Sequence, residues 1–395
     1  MSVALNIHSQ EIGTQGWRGS VSTRVSEALD WGISEGVVTG GVVLAAQYGR
    51  FTVQICKGNK APPSASPEPC PLQFSTVFDL GTLTEAVCTA SLMMRLISAG
   101  KVSLLDRASR FVPALAIGER SRITLAHLLA HVAGYAPSIT VADDIMRAHE
   151  GARPGLLASS GARHYSYKVL HKLPQRHAVG SRQLRSDADY ILLGEICEAI
   201  VGMPLEKAFS RLIAAPLGLR SLNFIDLSTV RSKGIQPMTE VFATSGACPR
   251  RGRLICGEVL DEHTWAMGGV SGHNGLFGTA DDLLVWGAEI LAALKGRSDI
   301  LSQDVARSFL TPELPGFDSD WRLGFEGLSS RDGTVAAGVA AEAVTVSSGT
   351  GCSLVIEPKR DLVAVVLTSG GALKTPSKRL ASLRADIHTA LLETE

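Results

Sequence analysis

Apolar residues occupy nearly every face of the stretch Leu83–Ser98. That pattern predicts a helix buried on all sides, with Gly100 as its terminator. Residues 20–36 carry an ordinary helical period. Two strand-like runs, Val42–Tyr48 and Phe51–Cys56, flank Gly49-Arg50 and predict a β-hairpin. Residues 58–72 are rich in Pro and Ser and read as a loop, and residues 136–180 are weakly patterned. Helices are predicted at about 187–201 and 204–214, the second with Pro204 near its first turn and Pro216 after it, and again over Asp281–Leu294. Strand-like runs return at Val344–Ser348, Cys352–Glu357 and Leu362–Thr368, with a turn at Pro358-Lys359-Arg360-Asp361. A helix over about 376–393 closes the chain.

Strands at both ends with helices between them suggest one antiparallel sheet built from the two termini, with a mostly helical lobe inserted. The expected division is an α/β lobe from residues 20–80 and 295–395, a helical lobe from 81–294, and an N-terminal extension over 1–19. The 395 residues are 45% hydrophobic, ample for a large core. Lys+Arg and Asp+Glu both number 38, so no bulk charge favours nucleic acid or an anionic membrane. The local cluster Arg250-Arg251-Gly252-Arg253 reads as a solvated loop. The first residues lack an export signal, and no run reaches the roughly 18 apolar residues that a membrane span needs. The seven Cys have no CxxC spacing, which points to reduced thiols and a cytoplasmic protein.

Five blocks carry the chemistry. Thr76-Val77-Phe78-Asp79-Leu80 leads into Gly81-Thr82-Leu83-Thr84-Glu85. Met94–Asp106 follows, then Ile123–Tyr135, which contains His127 and His131. Tyr190–Ile196 and Gly268–Ala280 complete the set. In this order they resemble the penicillin-recognising serine hydrolases, the beta-lactamase-related group of class C beta-lactamases, D-alanyl peptidases and esterases. The resemblance covers most of residues 20–390 and implies an α+β, beta-lactamase/penicillin-binding-protein-like fold with a cleft between two lobes. It calls for no cofactor and no metal.

The family pattern near the first block is T-x-F-D-L-A-S-L-T-K, in which the Ser is the nucleophile and the Lys, one helical turn on, helps to deprotonate it. Here Thr82 stands at the Ser and Glu85 at the Lys. The second motif, Tyr-Ser-Asn or Tyr-Ser-Asp, aligns with Arg185-Ser186-Asp187. Arg stays protonated and cannot act as a base. The third motif, Lys- or His-Thr-Gly, aligns with Val346-Ser347-Ser348. Thr82, Glu85 and Arg185 therefore fill the catalytic places, and Ser186, Asp187, Val346, Ser347 and Ser348 the rest of a vestigial cleft.

These departures favour a non-catalytic homologue that binds a small-molecule or peptide-like ligand, or a protein partner, through that cleft. The alternative is an active esterase, amidase or peptidase using Thr82, with Glu85 as a base of raised pKa. Glu85 and Arg185 are expected to form an ion pair, bidentate in its natural geometry, with Asp187 as a second acid for Arg185. His127, His131 and His273 are assigned structural roles, and Cys352 a buried, inert one. Met238-Thr239-Glu240 and Val259-Leu260-Asp261-Glu262-His263 read as scaffold and cleft wall.

Overall fold

A computed structural model describes residues 17–66, 68–235, 240–311, 321–328, 342–370 and 378–392. Along the chain come α1 (Trp17–Ser34), β1 (Gly40–Gln47), β2 (Arg50–Gly58) and β3 (Phe78–Asp79). A π-helical segment, Glu85–Ala90, then runs into α2 (Ser91–Ser98). The helical region continues with α3 (Leu125–Leu129), α4 (Val141–Glu150), α5 (Ser160–Leu170), α6 (Asp187–Val201), α7 (Leu205–Phe209) and α8 (Ala215–Leu217). After these follow β4 (Asn223–Phe224), α9 (Leu227–Ser232), β5 (Thr244–Cys248), β6 (Arg253–Cys256), α10 (Glu262–Ala266) and β7 (Leu276–Gly278). The last part holds α11 (Ala280–Leu294), α12 (Gln303–Leu310), β8 (Glu326–Gly327), β9 (Val344–Ser347), β10 (Ser353–Glu357), β11 (Leu362–Ser369) and α13 (Lys378–Leu392).

The main sheet has the order β2-β1-β11-β10-β9-β8, antiparallel throughout. The two chain ends meet at its centre, where Val43 faces Val366 in the β1–β11 register. Every residue of β11 is buried, so its apolar run is continuous. One face, with Val43, Ala45, Val355, Ala364 and Val366, packs on α1 and α13 through Val25, Leu29, Leu383 and Ile387. The other face, with Val42, Leu44, Leu354, Ile356, Val365 and Leu367, joins the larger core shared with α2, α6 and α11. Residues 1–16 of the expected N-terminal extension lie outside the described residues, as do Met238 and Thr239.

The fold departs from the sequence expectations at several points. The helix expected over Leu83–Ser98 exists, but Glu85–Ala90 is wound as a π-helix and is buried throughout. A segment buried on every face has no polar stripe from which an extra residue per turn could be read. The Ser91 hydroxyl donates to the Ala86 carbonyl at 3.0 Å, supporting the wide turn. Residues 136–180 contain α4 and α5, whose buried stripes are narrow; α4 buries only Val141, Ala142 and Ile145. Two small sheets, β3-β7-β4 and β5-β6, add to the expected strands: β3, β4 and β7 span only two or three residues and cannot display alternation, and the five-residue β5 is interrupted by a register shift at Gly246.

Helix α11 lies close on the sheet because Gly287 has no side chain: a Cβ there would fall 2.5 Å from Cγ1 of Val363. Gly287→Ala should therefore destabilise the protein by about 1–3 kcal/mol through overpacking. Chemical denaturation measures this, and an unchanged midpoint would mean that α11 can lift from β11 without penalty.

Candidate active site

The turn from Phe78 to Glu85 is pinned from several sides. The Asp79 carboxylate is buried and accepts hydrogen bonds from the backbone N–H groups of Gly81 (3.0 Å) and Leu260 (2.7 Å). Burial outweighs these bonds and raises its pKa to about 6. The Thr84 hydroxyl donates to the Gly81 carbonyl and accepts from the Leu276 N–H. Thr82 sits at the head of this turn. Its hydroxyl donates to the Ser347 carbonyl at 2.9 Å, and its N–H donates to Ser348 Oγ at 3.3 Å. Ser348 Oγ is held in turn by the N–H (3.2 Å) and hydroxyl (3.0 Å) of Thr350.

Gly81 has φ +56°, and a Cβ there would lie only 1.9 Å from Ser348 Oγ. The family pattern has Ala at the first place and Gly at the second. In this chain the two have exchanged bulk: the methyl group is gone and a hydroxyl fills its space. The glycine is plain in the sequence, but its meaning rests on a contact across 267 positions.

Glu85 is buried and lies between two cations. Its Oε1 accepts from Arg185 Nη2 at 3.0 Å, and its Oε2 is 3.8 Å from His131 Nε2. The pairing with Arg185 is thus made, though through one oxygen, not the expected bidentate fork; the second oxygen faces His131. Asp187 forms no ion pair with Arg185 and acts on it only through space. Burial alone would raise the pKa of Glu85, but the charge of Arg185 and the nearby His131 outweigh it and hold the carboxyl below its usual value. That reverses the raised pKa expected of Glu85 as a base for Thr82. The Thr82 hydroxyl also points its hydrogen bond at Ser347, not at Glu85.

His131 belongs to this centre. Its Nδ1 meets Asp189 Oδ2 at 3.0 Å, and its ring contacts Tyr190 and Trp321. Burial would lower its pKa, but Asp189 and Glu85 raise it to about 9. Asp189–His131–Glu85–Arg185 is therefore a chain of alternating charge running from the core to the cleft. His131 lies in the Ile123–Tyr135 block and Asp189 precedes Tyr190, so both were in view; nothing in the sequence paired them.

The remaining sites are dispersed. Ser186 turns its hydroxyl to the Ala136 carbonyl (2.6 Å). Val346 is buried in the larger core. Ser347 gives its carbonyl to Thr82, while its side chain lines a groove of about 330 Å³ beside Thr345 and Arg384, against α13. His273 accepts or donates to Ser271 Oγ at 2.8 Å and lies 3.2 Å from Asp261, so Asp261 buttresses the glycine-rich turn. His127 caps α3 with Thr124. Cys352 is buried and its thiol is pushed up to about 12, as expected of an inert residue. The basic cluster forms the exposed β5–β6 turn expected of a solvated loop, with Arg250, Gly252 and Arg253 exposed, but its charges are paired. Arg250 pairs with Asp143 and Glu262, and the buried Arg251 pairs with Glu258 and stacks on Trp265. No group of residues suited to hold a metal ion occurs among the described residues. Nor is any described helix long and apolar enough to cross a membrane.

The sequence model of the beta-lactamase family matches residues 22–389. The chain belongs to the beta-lactamase family. A Salmonella typhimurium protein bearing the name D-alanyl-D-alanine carboxypeptidase is 27% identical over an alignment of 318 residues that covers 74% of this chain and 69% of that one. Among solved structures, EstCE1, a hydrolase with promiscuous acyltransferase activity, superposes with a TM-score of 0.72 at 21% identity, covering 94% of this chain and 99% of the other. A class C beta-lactamase from Rhodobacter sphaeroides gives 0.64 at 17% identity, covering 94% and 100%. These likenesses establish the fold: an antiparallel sheet with flanking helices, as in beta-lactamases and penicillin-binding proteins.

Two measurements probe the charge chain of this beta-lactamase-family member. The Arg185 side chain is 39% exposed whereas that of Glu85 is 4% exposed. Arg185→Ala should thus cost between the exposed and buried limits, about 1–3 kcal/mol of unfolding free energy; no loss would make the pair a surface contact. His131 holds its proton more tightly when folded than its ordinary value of 6.5. Its contribution to stability is therefore complete below about pH 6.5 and is lost as pH rises through about 9. Denaturation midpoints should fall across this window, and less steeply in His131→Asn.

Proposed function

We propose that this chain is a non-hydrolytic member of the beta-lactamase family, whose cleft binds a small-molecule or peptide-like ligand, or a protein partner. One observation carries the reading: both reactive groups of Thr82 are committed to the protein itself. An acyl-transfer site needs a hydroxyl aimed at a base and an amide free to stabilise an oxyanion. Here the hydroxyl bonds the Ser347 carbonyl and the amide bonds Ser348 Oγ. The residue placed to act as base, Glu85, is tied to Arg185 and charge-paired with His131. The carboxypeptidase name of the Salmonella relative supports a peptide-like ligand over other small molecules.

General acid–base groups each contribute about 10²–10⁴-fold to rate. With neither Lys at 85 nor Tyr at 185, turnover of nitrocefin is expected at the level of a Thr82→Ala control, with no fluorophosphonate mass added at Thr82. Hydrolysis abolished by Thr82→Ala would overturn the proposal and restore the esterase, amidase or peptidase reading. Thr82→Ser alone should remain inactive, since groups that act as a unit are strongly non-additive. A large gain from that single change would mean that Glu85 already serves as a base.

A further inference from the structure

Among residues that take no part in the Thr82 contacts, a hollow of about 250 Å³ lies where the β1–β2 and β10–β11 turns approach α11. Its floor is apolar: Ala46, Leu284, Ala288, Leu291, Ala292 and Val363. The space exists because α11 carries Ala at 288 and 292, one turn apart, where larger residues would close it.

The rim has three polar residues, each in a different state. Asp361 is neutralised by Lys295 at 2.5 Å. Arg297, just past the helix end, has no hydrogen bond or ion pair for its guanidinium among the described residues. Tyr48 stands at the lip, 67% exposed. Its φ is +50°, a left-handed conformation that turns normally assign to Gly, Asn or Asp and that disfavours a bulky side chain. The Tyr48 N–H donates to the Asp361 carbonyl at 3.1 Å, which holds the ring in this place. A strained aromatic residue kept out of the core, beside an unengaged cation and above a vacant apolar floor, is not explained by packing.

We infer that this hollow is a second binding site, for a small hydrophobic carboxylate. The alkyl or aryl body would lie on the alanine floor under Tyr48, and the carboxylate would take the free donors of Arg297. With Lys295 and Asp361 cancelling, Arg297 leaves the rim with one net positive charge, which selects an anion over a neutral or cationic analogue. The inference is independent of whether Thr82 is catalytic.

Octanoate titrated into the full chain, followed by calorimetry or amide chemical shifts, tests it. Saturable binding is expected, with octanol and octylamine weaker by roughly tenfold or more, the worth of one charge-assisted contact. Arg297→Ala, an exposed change that leaves the core intact, should weaken octanoate by a similar factor without altering the thermal midpoint of the free protein. Ala288→Trp, which fills the floor, should abolish binding. Equal affinity for octanol, indifference to Arg297→Ala, or no saturable binding at all would each overturn the assignment.

Discussion

A serine hydroxyl seated over a backbone amide organises the centre of this protein. Ser348 Oγ accepts from the Thr82 N–H and is braced by Thr350, and the fit is possible only because residue 81 is glycine. This small contact joins the turn that heads the buried π-helix to the end of β9. With the Thr82 hydroxyl on the Ser347 carbonyl, it makes two bonds between these segments. An oxyanion is stabilised by free N–H donors; the Thr82 N–H is bonded to Ser348 Oγ.

The charge chain beneath this contact follows the same logic. A buried carboxylate at position 85 would be expensive alone. Arg185 on one side and protonated His131 on the other make it tolerable, and Asp189 balances His131 from below. Acids and bases thus alternate along this ladder, and the carboxylate at position 85 has a cationic neighbour on each side. Arg185 is the one rung that reaches solvent.

Much of this was legible in the sequence. The all-antiparallel sheet from both chain ends follows from β-branched runs at 42–56 and 344–368, and α6 and α11 from apolar spacing between clear start and stop signals. The Glu85–Arg185 contact followed from the positions of two substituted motifs. What could not be read depended on partners distant in sequence. The π-winding of Glu85–Ala90 had no periodic signature, and the lowered pKa of Glu85 draws on His131 as well as Arg185; the role of His131 appears only when α6 brings Asp189 beside it. Arg251 likewise looked like one charge in a loop until Trp265 and Glu258 enclosed it.

The sheet topology also constrains how the molecule comes to exist. Strand β1 finds its central partner, β11, only when Gly40 meets Ser369, across most of the chain. During synthesis the β1–β2 hairpin must therefore wait with one edge unpaired while more than three hundred residues emerge. Contacts this distant make folding slow, because loop closure comes before its reward. The local helical segments between the strands can form meanwhile. The waiting edge, apolar from Val42 to Ala46, is an unpaired, aggregation-exposed surface of the nascent chain.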